Sequence, residues 1–283
     1  NALAANSTGA NNTAVGTSSL FNNTIASNNA AFGYAALNGN TTGTNNVAVG
    51  SGALATSTTA TDNTAVGYQA LNANTSGADK VAVGDEAGHD ITTGSRNVIV
   101  GSKAGDAATT TDDTTLVGYG AGGGAVMTGH DNVAIGSGSL SVTTSGEDNV
   151  AVGKDALASN TTSSFNVALG KNALNANTTS GNNTAVGYQA LKLNTGGENT
   201  AVGRDALTAN TTASNNTAVG YQAGTAITTG DGNTSIGYKS LSTNTTASNN
   251  VAVGYQTLRD NTSGTKSTGV GFEALRSNTS GVN

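Results

Sequence analysis

Residues 63–79 read NTAVGYQALNANTSGAD, and this 17-residue unit recurs with small changes along the whole chain. Each copy aligns on the glycine that follows Thr-Ala-Val, here Gly67, which we number as position 0 of the repeat. Thirteen of the fifteen intervals between successive repeat glycines are 17 residues, one is 18 and one is 16. These glycines are Gly16, Gly33, Gly50, Gly67, Gly84, Gly101, Gly118, Gly136, Gly153, Gly170, Gly187, Gly203, Gly220, Gly237, Gly254 and Gly271. A fixed period of this length predicts a repeat architecture.

The repeat leaves no gap for a linker, and we expect residues 1–283 to form a single uninterrupted array. Residues 1–10 resemble the end of one repeat, and Asn283 falls inside another. We therefore expect partial repeats at both ends, as in a segment of a longer fibre.

The composition excludes several classes of protein. Of 283 residues, 40 are glycine and none is proline, cysteine or tryptophan, which excludes disulfides, thiolate metal sites and a cysteine nucleophile. A net charge of −6 leaves no basic face for nucleic acid. The apolar runs are too short to span a membrane, so we expect no membrane insertion.

The three residues before each repeat glycine, positions −3 to −1, predict a short strand. Thr or Val at −3 and Val at −1 alternate with Ala at −2, as at Thr64, Ala65 and Val66. A strand that is apolar on both sides should be covered on both sides. We therefore expect valine to be buried within the coil and the small alanine face to pack against another chain.

Leucine occupies position +4 in twelve repeats and is expected to point inward. In the other four repeats glycine replaces it, at Gly88, Gly105, Gly122 and Gly224. Three residues later in those repeats, the usual Asn is replaced by Ile91, Ala108, Ala125 and Ile227. Loss of a large side chain at +4 thus coincides with an apolar gain at +7. This indicates that both positions face one interior space of nearly constant volume.

A 17-residue unit without a 3.6-residue period is too short for paired helices. It predicts an all-β fold, a parallel β-solenoid or β-roll of about sixteen 17-residue coils. Each coil would contain two short strands joined by tight turns, and sixteen coils at about 4.8 Å would make a rod roughly 75–80 Å long. The lack of proline preserves every backbone donor for pairing between coils. Because each coil buries few large apolar side chains, we expect a homo-oligomer, most simply a trimer.

The repeat also resembles a known family of surface fibres. NTAVGY at 63–68 and 183–188 and NVAIG at 132–136 resemble the SVAIG repeats in the YadA-type head of trimeric autotransporter adhesins. The longer sequence NTAVGYQAL is similar to repeat regions of phage tail-fibre and related surface-fibre proteins. The resemblance implies a left-handed parallel β-roll that trimerises around its inner strands, outside the cell, on a virion or cell surface. The period of 17 is longer than that of the YadA-type repeat.

No residue pattern predicts catalysis, a metal site or a cofactor site. His89 and His130 occupy different repeats and lack partners at metal-ligand spacing. The acidic pairs Asp112-Asp113 and Glu147-Asp148 match no calcium-loop pattern. The glycine-rich residues 118–124 lack the lysine of a phosphate loop. We expect a non-enzymatic protein with no cofactor and no metal.

Two functions remain open. The first is a structural shaft or head of an extracellular fibre that projects a distal binding element. The second is binding of a cell-surface polysaccharide by the flank of the fibre, through tyrosines that follow the repeat glycine. All seven tyrosines occupy this position, +1: Tyr34, Tyr68, Tyr119, Tyr188, Tyr221, Tyr238 and Tyr255. Four are followed by glutamine: Gln69, Gln189, Gln222 and Gln256.

Overall fold

The computed structural model describes residues 1–281 and builds them from short parallel strands and turns, without a helix. Numbered in chain order, the sixteen strands of these residues are β1 Thr13–Val15, β2 Ala30–Phe32, β3 Val47–Val49, β4 Thr64–Val66, β5 Val81–Val83, β6 Val98–Val100, β7 Thr115–Val117, β8 Val133–Ile135, β9 Val150–Val152, β10 Val167–Leu169, β11 Thr184–Val186, β12 Thr200–Val202, β13 Thr217–Val219, β14 Thr234–Ile236, β15 Val251–Val253 and β16 Thr268–Val270. The predicted all-β parallel solenoid is confirmed.

The chain divides into two compact units, Asn1–Ser145 and Gly146–Asn283. The first contains β1 to β8 and the second β9 to β16. Within each unit every strand pairs in parallel with the strand of the next coil, as Ala65 of β4 does with Ala82 of β5. The 18- and 16-residue repeats keep this register, because β7 still pairs with β8 and β11 with β12. The turns therefore absorb the change in length.

Each coil of the described residues contains one strand of three residues, so the prediction of two strands is wrong. Position +4 explains why: its leucines adopt a left-handed backbone, as Leu71 does with a φ of 50°, and cannot be extended. Backbone hydrogen bonds in this turn alternate between the next coil and the same coil. The Leu71 amide donates to Ala87 O of the next coil at 3.0 Å, and the Asn74 amide donates back to Leu71 O at 3.2 Å. The turn side thus has its own ladder between coils.

The repeat glycine is required by both conformation and space. Gly187 has a φ of 136°, a region that other residues rarely adopt. A Cβ at Gly187 would lie 2.5 Å from Gly203 O of the next coil. The position that defines the repeat in the sequence is therefore one where neighbouring backbones touch.

The apolar interior is formed by alanine and leucine, which corrects the predicted roles of the strand residues. Ala65, Ala70 and Leu71 are all fully buried within the coil. Phe32 and Val100, at position −1, are 41% and 36% exposed. Successive strand residues point to opposite faces, and the inward position −2 carries alanine in most coils, beside the buried leucine. The predictions that the alanine face packs against another chain and that valine is buried are wrong.

The shared interior of positions +4 and +7 is confirmed where isoleucine occupies +7. A Cβ at Gly88 would lie 3.3 Å from Ile91 Cδ1, and one at Gly224 would lie 3.0 Å from Ile227 Cδ1. Both isoleucines are fully buried. Each isoleucine therefore fills part of the space that leucine fills in other coils, and at Gly88 the strand residue Ile99 contributes as well, with its Cδ1 2.9 Å from that Cβ.

The other two glycine-containing coils fill that space differently. In the 18-residue repeat, Met127 and not Ala125 compensates for Gly122, because Met127 is fully buried with its Cε 2.7 Å from a Cβ at Gly122. At Gly105 the nearest side-chain atom is Leu116 Cδ1 of the strand, at 2.8 Å, while the Ala108 Cβ is 3.8 Å away. In the 18-residue repeat the compensating residue lies two positions after the counted one, and at Gly105 a large strand residue contributes volume that the +7 position lacks.

A second part of the interior is polar and consists of stacked asparagines at position −4. The backbone amide of Asn233 donates to Asn216 Oδ1 at 2.8 Å, and its Nδ2 donates to Ala247 O at 3.0 Å. Its own Oδ1 accepts the Asn250 backbone amide at 3.0 Å. Each asparagine thus bonds coils on both sides, which satisfies buried polar groups that would otherwise be costly.

Candidate functional site

The acidic turn Asp112-Asp113 and His130 bond to neighbouring coils, and Glu147 and Asp148 are exposed. Asp113 pairs with Arg96, whose Nε lies 2.6 Å from Asp113 Oδ1, and this guanidinium lowers the pKa of the carboxyl. Asp112 Oδ1 accepts the Ser95 backbone amide at 2.6 Å. His130 Nδ1 accepts the Asp112 amide at 2.9 Å. These side chains therefore stabilise turns.

Residues 1–281 contain no group of three or more His, Cys, Asp or Glu side chains that could hold a metal ion. His89 Nδ1 lies 2.6 Å from Asp90 Oδ1, and both side chains are partly exposed. Gly120 and Gly122, in the glycine-rich stretch 118–124, have φ values of 60° and 61°, close to those of Gly52 and Gly88 at the same repeat positions.

The outward face of the strands carries partly exposed apolar side chains in both units. Side chains at −3 and −1 form two adjacent rows, the first of Thr or Val and the second chiefly of Val. Val81 and Val83 of β5, for example, are 40% and 38% exposed. We call these two rows the outward apolar face. Exposed apolar rows that continue from strand to strand are typical of protein interaction surfaces.

Beside this face, the second unit carries a run of stacked side chains at position +1. Tyr221 and Tyr238 have ring centroids 5.4 Å apart, and Tyr238 and Tyr255 are 5.1 Å apart. Tyr255 and Phe272 are also 5.1 Å apart, with an angle of 6° between their planes. We call the complete set the aromatic column: Tyr188, Arg204, Tyr221, Tyr238, Tyr255 and Phe272.

Arg204 continues the aromatic column where a tyrosine is missing. Its guanidinium carbon lies 5.6 Å from the centroid of the Tyr188 ring and 5.8 Å from that of Tyr221. Both distances suit a cation–π contact. Arginine thus replaces an aromatic ring in the stack, which the sequence row of tyrosines alone did not reveal.

The stacking changes what these tyrosines can offer a ligand. A ring that binds a sugar by stacking needs a free face, and the faces of Tyr221 and Tyr238 lie against neighbouring members of the column. Tyr34 and Tyr119 have no aromatic neighbour at +1 in adjacent coils and are 63% and 64% exposed. Stacking therefore covers ring faces within the column, whereas no stacked neighbour covers the rings of the isolated tyrosines.

The 16-residue repeat produces a polar notch in the second unit. It has a volume of about 370 Å³ and is lined by Asn182, Glu198, Asn215 and neighbouring Ser and Gly residues. A sequence signal existed, since the deletion that shortens this repeat lies between Gly187 and Gly203. The notch offers amide, hydroxyl and carboxylate groups to a ligand, but only one carboxylate.

One charged side chain lies inside the polar interior, and the sequence reasoning missed it. Lys80 occupies position −4, which is otherwise Asn, Thr or Ser, and it is fully buried. Its Nζ donates to Asn74 Oδ1 at 2.8 Å and to Gly94 O. The sequence signal was the replacement of the usual asparagine by lysine at this repeat position.

In comparisons with known proteins, no family model and no curated protein matched the chain. The resemblance to YadA-type heads and tail-fibre repeats therefore rests on the repeat residues themselves. Residues 1–281 contain no helix long and apolar enough to cross a membrane. The candidate features are thus defined by geometry. Three lie at the surface, namely the outward apolar face, the aromatic column and the polar notch, and the fourth is the buried Lys80.

Proposed function

We propose that this chain is a structural, non-enzymatic segment of an extracellular fibre, which assembles as a homotrimer and projects a distal binding element. The observation that carries the proposal is the outward apolar face, which recurs at every coil of a solenoid with a closed interior. Its Val, Ile and Phe side chains, such as Ile236 at 37% exposure, lack a partner in the single chain.

A second copy of the chain is the occupant that best fits this face. Its rows repeat at the strand spacing of about 4.8 Å, so a partner must have the same spacing to make contact at each coil. Another copy of the solenoid has that spacing and the same Thr/Val and Val rows. Both faces are apolar and weakly charged, as in the cores of stable homo-oligomeric interfaces.

The interior supports a mechanical role. Asparagine side chains and turn amides bond each coil to the next, as Asn166 Nδ2 does to Asn149 Oδ1 at 3.1 Å. Repeats joined in this way add length and stiffness at each coil without creating a catalytic cleft. The resemblance to adhesin heads and tail-fibre repeats supports an extracellular place on a virion or cell surface.

Sedimentation equilibrium tests the assembly. The chain has a mass of 27.4 kDa, and we expect a species of three chains. Replacing Val202 and Ile236 with aspartate places charges in the proposed interface and should give single chains. Thr229→Asp, at an exposed turn position, is the matched control and should leave the trimer intact. A folded wild-type protein that sediments as one chain would refute the trimer.

Polysaccharide binding is the second candidate, favoured by two observations. Tyr34 and Tyr119 are largely exposed and unstacked, and the aromatic column lies beside glutamines such as Gln256, whose Nε2 lies 3.5 Å from Tyr255 Oη. Glycan-array binding should fall in Tyr34→Ala and Tyr119→Ala if ring faces bind sugar, and in Tyr255→Phe if the hydroxyls do. Unchanged binding in all three variants would remove this candidate.

A further inference from the structure

Lys80 and Asn74 form the one close contact between an amine and a side-chain amide that is fully enclosed in the described part of the interior. Both side chains have zero exposure. Lys80 Nζ lies 2.8 Å from Asn74 Oδ1. With a C=O bond of about 1.2 Å, the Asn74 Cγ carbon is at most about 4.0 Å from Nζ. That is close to the approach of about 3–3.5 Å from which bonds form.

The amide of Asn74 is polarised for attack. Its Oδ1 accepts the Gly77 backbone amide at 3.1 Å in addition to the Lys80 contact. A fixed N–H that donates to a carbonyl oxygen stabilises the negative charge that develops when a nucleophile adds to the carbon. No water reaches the fully buried pair, which disfavours competing hydrolysis.

The amine is in a suitable protonation state. Burial lowers the pKa of Lys80 to about 7, with a smaller opposing effect of the Asp112 charge. At neutral and higher pH a large share of Lys80 is therefore a neutral amine with a lone pair. A neutral amine has two N–H groups, which match its two acceptors, Asn74 Oδ1 and Gly94 O.

We propose that Lys80 and Asn74 become joined by an intramolecular isopeptide bond. The lone pair of Lys80 Nζ attacks Asn74 Cγ, and a C–N bond forms as the Cγ–Nδ2 bond breaks. One Nζ proton passes to Nδ2, which leaves as ammonia. The products are a secondary amide and ammonia, so the balance requires no oxidant, reductant or cofactor.

The surrounding structure accommodates the product and favours it. The remaining N–H on Nζ can still donate to Gly94 O, and Oδ1 can still accept the Gly77 amide. The new amide is uncharged, so the cost of burying an ionisable amine disappears. Gly77 leaves room for the approach, because a Cβ there would occupy the position of Nζ. No other coil of the described chain places an amine at −4, so the cross-link is specific to this coil.

Intact-mass spectrometry of the folded protein tests the proposal directly. The cross-linked chain should be lighter than its sequence mass by one ammonia, about 17 Da. Proteolysis should then give a branched peptide that joins Lys80 to Asn74. Because the neutral amine reacts, freshly folded protein should lose this mass faster at pH 9 than at pH 6.

Two variants and one control assign the loss to this pair. Lys80→Arg and Asn74→Ala should each keep the full sequence mass, whereas Lys154→Arg, at an exposed position, should still lose about 17 Da. The wild-type measurement does not depend on whether the variants fold. The proposal would be overturned if folded wild type kept its full mass after prolonged incubation at pH 9. In that case Lys80 would still be a free amine, and it could be methylated once the protein is unfolded. A mass loss located at another asparagine would overturn it as well.

Discussion

The compensation between positions +4 and +7 leads to a prediction that can be tested at Gly224 and Ile227. Replacing both, as Gly224→Leu and Ile227→Asn, recreates the residues of the preceding coil, Leu207 and Asn210. The backbone permits the exchange, since Gly224 has a φ of 57° and Leu207 a φ of 48°. We therefore expect the double variant to be nearly as stable as the wild type, although each single variant is destabilised.

The magnitudes follow from the contacts. Ile227→Asn removes a fully buried side chain beside a glycine, which costs about 2–5 kcal/mol. About 1 kcal/mol returns if the new amide bonds its own turn, as Asn210 Nδ2 does to Ala213 O at 3.1 Å. Gly224→Leu alone places a Cβ 3.0 Å from Ile227 Cδ1 and 3.1 Å from Leu207 Cδ2, an overpacking cost of about 1–3 kcal/mol.

Urea unfolding, followed by circular dichroism, measures the free energy of unfolding of wild type, the two single variants and the double variant. The double variant should lie within about 1 kcal/mol of wild type, and the coupling energy should be at least about 1 kcal/mol. The reverse exchange, Leu207→Gly with Asn210→Ile, is the matched control and should show coupling of the same sign. Single effects that simply add, within about 0.5 kcal/mol, would show that the two positions do not share an interior space.

Three further predictions concern the column, the polar interior and the buried lysine. Tyr238→Ala removes two stacking contacts and should lower the free energy of unfolding by about 1–3 kcal/mol, whereas Tyr34→Ala, which breaks no stack, should change it by no more than about 0.5 kcal/mol, both from urea unfolding. Asn233→Ala leaves the buried Asn250 backbone amide without its acceptor and removes one of the two side-chain amides that donate to Ala247 O, which should cost about 2–4 kcal/mol. A loss below about 1 kcal/mol would mean that water replaces the side chain. In Asn74→Ala the Lys80 amine cannot form the cross-link and stays free. Burial lowers the pKa of Lys80 from 10.5 to about 7 in the folded chain. Between these pH values the unfolded chain therefore holds a proton on Lys80 that the folded chain has released. The free energy of unfolding of this variant should therefore rise between pH 7 and 10.5, and a flat profile would contradict the burial of a free amine there.

The stacking of tyrosines shows how far a periodic pattern can be interpreted from sequence. Tyrosine at +1 predicts rings in one row, and the rings of Tyr221, Tyr238 and Tyr255 do stack. The sequence does not show whether ring faces remain free for a ligand. That depends on whether adjacent coils both carry a flat side chain, and in the second unit Arg204 completes the row.

Met127 illustrates a different limit. Counting positions pairs Ala125 with Gly122, but the turn before Met127 is two residues longer than in other coils, and one of these is recovered before β8. Thr128 then bonds to Thr144 O as the equivalent threonines of other coils do. Counting residues cannot locate an insertion inside a turn, because turn length is free wherever the strand register is kept.

The sequence by itself determined the repeat period, the place of the strand, the inward leucine and the requirement for glycine at position 0. These properties repeat in every coil, so sixteen copies specify each of them many times. Only the tertiary structure decided that alanine lies inside and valine outside, that Met127 compensates for Gly122, and that the Lys80 amine meets the Asn74 amide. Those outcomes depend on the width of the space enclosed by a coil and on contacts across it, which a one-dimensional pattern of residue types does not contain.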